Sequence, residues 1–88
     1  MKIAEGYLLR NIADSWIVIP IGKIANASSL MVSLSESSAL LWKQLETGAN
    51  EDELISLLLD SYDVDSETAK KDVAEFLEFL RSENILID

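Results

Sequence analysis

The sequence predicts an α+β fold, a three-stranded antiparallel sheet at the N-terminus followed by three helices. Three observations carry that prediction. Two short β-rich runs flank a turn-forming stretch. The hydrophobic period changes from two to 3.6 after Leu34. Three apolar stripes then follow, each opened by a capping residue. With 88 residues, the expectation is one domain spanning 1–88 with a small core.

The first strand is expected over Tyr7 to Ile12, where aromatic and aliphatic residues dominate. Trp16 to Ile19 reads as the second strand, apolar on both faces, and the pair as a hairpin around Ala13-Asp14. Pro20 and Gly22 end it. Ala25 to Ser29 is small and polar and reads as a loop. Leu30 to Leu34 is a third, short strand. Ser35 is a plausible N-cap of the first helix, whose stripe is Ala39, Leu41, Trp42 and Leu45. Gly48 terminates that helix. Asn50 with Glu53 three residues on resembles a capping box. Leu54, Ile55, Leu57, Leu58 and Leu59 belong to the second helix, which Tyr62 ends. Asp65 or Ser66 caps the third, whose core face is Ala69, Val73, Phe76, Leu77 and Leu80. At ~100° per residue, Phe79 falls about 120° from Val73. Asp72, Phe76, Phe79 and Glu83 therefore share one flank. Ile85 to Ile87 either adds a last strand or packs down.

Composition excludes several chemistries. The chain has no cysteine, hence no disulfide and no thiolate metal ligand, and no histidine, the usual general base. No apolar run approaches the roughly 20 residues that span a bilayer. The first residues lack the apolar core of a signal peptide, so a cytoplasmic location is the expectation. Charge is uneven. Residues 1–45 carry four basic and three acidic groups; residues 46–88 carry three basic and thirteen acidic ones, of a total of −9. These acids read either as exposed helix faces that keep a small protein soluble or as charges that steer a basic partner peptide.

The acidic clusters do not compose a catalytic or metal set. Glu51-Asp52-Glu53 fits a helix start. The Asp63 to Ser66 stretch lacks the glycine and distal glutamate of a calcium loop. The serines have no histidine to activate them. Asp65-Ser66 at a helix start is similar to an acyl carrier protein, but Glu67 stands where a leucine is expected, and the first third reads as β. Trp16 and Trp42 read as core anchors. Phe79, off the core stripe, is either covered by another element or lines a groove for a ligand.

The element order also resembles a winged helix, whose third helix often reads DNA. Here Glu67, Asp72, Glu75, Glu78 and Glu83 outnumber Lys70, Lys71 and Arg81 on that helix. A phosphate backbone would be repelled. The expectation is a winged-helix-like scaffold reused for protein contacts, with no nucleic acid and no membrane as partner. A transcriptional regulator or another protein-interaction adaptor is the alternative.

Several fragments, in order, resemble the PqqD-like proteins, the peptide recognition elements of ribosomal peptide-modification pathways. They are Gly6-Tyr7-Leu8-Leu9-Arg10, Trp16 to Gly22, Met31 to Leu34, Ala39 to Leu45, Gly48, Glu53-Leu54-Ile55, and Tyr62-Asp63-Val64. Asp72-Val73, Phe76-Leu77 and Leu80 follow at the family's spacing. Ser35 stands where members often have asparagine, and Asn84 where glycine is usual. The match is looser to the proteins dedicated to pyrroloquinoline quinone synthesis than to the wider group. The resemblance implies a non-catalytic module that needs no cofactor. It would hold the leader of a precursor peptide by strand addition and present it to a modifying enzyme, often a radical S-adenosylmethionine enzyme in the family. It places the peptide on the third strand, Leu30, Met31, Val32, Ser33 and Leu34. The facing wall is then the third-helix flank, Asp72, Phe76, Phe79 and Glu83.

Overall fold

The computed structural model describes residues 1–22 and 31–87. Its elements are β1 (Lys2–Ile3), β2 (Tyr7–Ile12), β3 (Ser15–Pro20), β4 (Val32–Leu34), α1 (Glu36–Thr47), α2 (Glu51–Ser61), α3 (Ser66–Ser82) and β5 (Leu86–Ile87). The architecture is the expected winged-helix-like α+β one. β2, β3 and β4 form a three-stranded antiparallel sheet in that order.

The hairpin turns where the sequence placed it. Ile12 pairs with Ser15, leaving Ala13 and Asp14 as a two-residue loop. Both have positive φ, 50° and 66°. That is the turn whose twist matches the flanking strands, and it asks two non-glycine residues to adopt the left-handed region. Side chains then alternate across the sheet. Leu9, Val18 and Val32 lie in one cross-strand row, and all three belong to or pack on the core. Leu34, opposite Trp16, also packs inward, and Ser33 is exposed. The pairing thus settles which face of β4 is buried.

The helices start and stop on the residues the sequence nominated. Ser35 Oγ accepts from the Ser38 N–H at the start of α1. At α2, Asn50 Oδ1 accepts from the Glu53 N–H while Glu53 Oε1 accepts from the Asn50 N–H, a complete capping box. Asp65 Oδ1 accepts from the Thr68 N–H at α3. Gly48 follows α1 with φ 106°, and its N–H donates to the Gln44 carbonyl. Tyr62 ends α2.

One cluster of buried residues joins the sheet to all three helices. Val18 contributes from β3, Leu41, Trp42 and Leu45 from α1, Leu54 and Leu58 from α2, and Ala69, Val73, Phe76, Leu77 and Leu80 from α3. The α3 set is the expected stripe. On α2 all five expected residues lie in the helix; Leu54 and Leu58 are buried, Ile55 and Leu57 partly so, and Leu59 is exposed. Trp42 is 1% exposed. Its Nε1 has no hydrogen-bond partner among the described residues, which costs about 1–3 kcal/mol against the gain from burying the ring.

Two differences from the sequence reading stand out. The third strand is shorter than Leu30–Leu34. Its pairing with β3 stops at Val32, opposite Val18, and Met31 lies before the strand, 63% exposed. Leu30 and the expected loop Ala25–Ser29 fall outside the described residues. Second, the N-terminus makes a strand that was not expected. β1 pairs antiparallel with β5, Lys2 with Ile87 and Ile3 with Leu86. The Ala4 N–H donates to the Ile85 carbonyl, and the Ala49 N–H to the Met1 carbonyl. Asn84 turns the chain into this pairing at φ 60°, the left-handed conformation that asparagine tolerates.

Candidate functional site: a groove beside an edge strand

β4 is last in its sheet, so among the described residues one of its edges carries no strand. Backbone N–H and C=O groups on such an edge are ready to pair with another chain. α3 runs past this edge, and between them lies a groove of about 500 Å³. Val32, Ser33 and Leu34 line one side; Asp72, Glu75, Phe76 and Phe79 line the other. Leu41 of α1 and Leu58 of α2, both core residues, also reach it, as do Ser37 and Ser38 at the start of α1.

Each wall is held in place by the packing just described. Phe76 is 7% exposed and belongs to the core, with part of its surface left to the groove. Phe79 is partly buried and packs against the core cluster from its flank. Its position about 120° from Val73 on the helical wheel is what lets it do both. Ser35, which caps α1, anchors the end of β4 to that helix.

Six of the nine residues nominated from the sequence therefore meet at one place: Val32, Ser33, Leu34, Asp72, Phe76 and Phe79. Met31 and Glu83 are not among the groove's lining residues, and Leu30 lies outside the described residues. Helix rise separates Glu83 from the lining residues of α3. Three strand residues extend ~10 Å. Asp72 to Phe79 rises about the same distance along α3, and Glu83 sits roughly 6 Å farther, where it caps the helix. Ser35, Ser37, Ser38, Leu41, Leu58 and Glu75 also line the groove and were not nominated.

Among the described residues no group of three or more Asp, Glu, His or Cys could hold a metal ion. The resolved carboxyl shift is at Asp65, away from the groove. Its hydrogen bond from the Thr68 backbone N–H, aided by the Thr68 side chain, holds it below the ordinary aspartate value. That is a helix cap at work. A second cavity of about 560 Å³ lies between the hairpin and α1, where the Lys43 ammonium stands 4.1 Å from the centre of the Trp16 ring. That contact covers part of Trp16, which is less buried than its expected anchoring role implies.

A family model described as coenzyme PQQ synthesis protein D (PqqD) matches residues 16–86. The chain belongs to the PqqD family. The PqqD match takes in nearly all of β3, β4 and the three helices, which are the parts that build the groove. Two solved structures resemble this PqqD-family chain. One is TbiB1 in complex with the TbiA(beta) leader peptide, 22% identical over 100% of both chains, with a TM-score of 0.77. The other is lasso peptide synthetase B1 complexed with the leader peptide, 14% identical over 99% of this chain and 96% of that one, with a TM-score of 0.78. At these identities the likeness is one of fold. No curated protein matches the chain in sequence. No described helix is long and apolar enough to cross a membrane.

Proposed function

We propose that this chain, over residues 1–88, is a non-catalytic peptide-recognition module that holds the leader of a precursor peptide and presents it to a modifying enzyme. The observation that carries the reading is the edge of β4, without a strand partner among the described residues, facing the Asp72, Phe76 and Phe79 flank of α3 across a groove. Family membership supports it. So do the two structures of the same fold, each of which was solved with a leader peptide.

The mechanism is strand addition. An extended leader would lie along β4 and take up its free backbone groups, which fixes direction and register. Its side chains would alternate between solvent and the groove, where Phe76, Phe79, Leu41 and Leu58 offer apolar surface. Nothing in this requires a titrating group, a metal or a cofactor. The partner enzyme supplies the chemistry, and a radical S-adenosylmethionine enzyme is the case the family resemblance names. The acidic α3 disfavours a DNA-reading role.

The test seeks a short precursor and a modifying enzyme among the genes beside this one, labels the precursor's leader, and measures anisotropy against the purified chain. Saturable binding that a scrambled leader does not reproduce supports the proposal. So does modification of the precursor, read by mass spectrometry, only when both the chain and the neighbouring enzyme are present. Modification by the chain alone would refute the non-catalytic reading, and equal binding of the scrambled leader would refute recognition.

A further inference from the structure

A smaller cavity of about 290 Å³ opens beside the groove and shares Ser35, Ser37, Leu58 and Asp72 with it. Leu58, Tyr62 and Val64 give it apolar surface. Tyr62 ends α2, and Val64 lies in the short connection to α3, which places both against the start of α1. Glu36 and Asp72 give it carboxylates. Glu75 adds another in the adjoining groove. No lysine or arginine lines either cavity among the described residues.

Apolar walls with carboxylates of one sign complement a particular kind of side chain: a hydrocarbon stem with a cationic head. The stem gains from covering Leu58, Tyr62 and Val64; the head gains from Asp72 and Glu36. A neutral apolar side chain would use only the walls. An acidic one would meet like charge. The positive end of α1 also opens here and favours negative charge, but Glu36 in its first turn already answers it.

We propose that this side cavity takes a lysine or arginine of the bound peptide, so that the module selects leaders with a basic residue just beyond the segment paired to β4. The proposal rests on the groove reading above. It adds what that reading lacks, a chemical preference at a defined position.

The probe is a series of labelled octapeptides of alternating valine and threonine, with one guest residue scanned along them. The guests are arginine, lysine, citrulline, tyrosine and glutamate; citrulline keeps the shape of arginine without its charge. Binding is measured by anisotropy at low and high salt, with the full chain and with Asp72→Asn. Asp72 is exposed, so the variant should keep the wild-type circular dichroism spectrum. At one guest position, arginine should bind about fivefold tighter than citrulline, the size of a partly exposed ion pair. The gap should close in Asp72→Asn and in high salt. Equal binding of arginine and citrulline at every position, or tightest binding of tyrosine, overturns this proposal and leaves the groove reading standing. Failure of the whole series to bind at millimolar concentration overturns both.

Discussion

Replacing Phe79 with alanine separates a groove wall from a core residue. Phe79 packs on the core cluster yet lines the groove, while its neighbour Phe76 is 7% exposed. Phe76→Ala removes a ring that is almost wholly buried and should cost about 4 kcal/mol. Phe79→Ala should leave a dent open to water, so only the transfer term is lost. With ~100 Å² of apolar surface no longer covered, at ~25 cal/mol per Å², the loss is about 2.5 kcal/mol. Unfolding extrapolations carry errors smaller than this difference. Urea unfolding followed by tryptophan fluorescence and by circular dichroism gives both numbers, and an unchanged m-value would show that the denatured state is the same. Phe79→Leu should recover most of the stability, because leucine still covers the helix flank. On a bound leader, both Phe79 variants should weaken affinity through faster dissociation. If Phe79→Ala costs as much as Phe76→Ala, the ring is held as deeply in the core as Phe76 and the account of Phe79 as a water-exposed wall is wrong. A loss below about 1 kcal/mol would mean that it does not pack on the core at all.

Further outcomes follow from the caps and the hairpin. Asn50→Ala removes one half of a complete capping box and should cost about 1 kcal/mol, read as a fall in Tm of several degrees. The lowered pKa of Asp65 means that its contribution is fully present above the ordinary value of 3.8 and is lost as pH falls below it toward the folded pKa. Asp65→Asn, which can still cap, should therefore flatten the stability profile of the wild type in that acid range; an unchanged profile would remove the assignment. Ala13→Asn with Asp14→Gly places the preferred residues in a turn that now holds two left-handed non-glycine residues. Stability should rise by about 1 kcal/mol in a thermal melt.

The helices were legible because their signals are local. Ser35, Asn50 and Asp65 each sit beside the donor they satisfy, and the α3 stripe repeats at helical spacing. The last strand was one of two readings of Ile85 to Ile87, but its partner β1 was not legible, because two residues carry no period and the two strands lie at opposite ends of the chain. The strand edge was partly legible. Alternation identifies Val32 and Leu34 as one face, but only the pairing with β3 shows that this face is inward. The same limit applies to the groove. Asp72, Phe76 and Phe79 share a helix flank, so the sequence groups them. Leu41, Leu58 and Ser37 come from other helices, and no spacing links them to β4. Glu83 satisfied the helical spacing but is not among the residues that line the groove. The smaller cavity depends on where the α2–α3 connection crosses the start of α1, which is a matter of packing alone.

The most direct measurement of the central claim is the backbone amide spectrum of the isotope-labelled chain during titration with the leader. Strand addition predicts shifts at Val32, Ser33 and Leu34, slowed amide exchange on that strand, and cross-strand contacts between its backbone and the peptide. Asp72, Phe76 and Phe79 should shift with them at the same peptide concentrations. Shifts confined to α1 and the Trp16 strand, with Val32–Leu34 silent, would contradict the account.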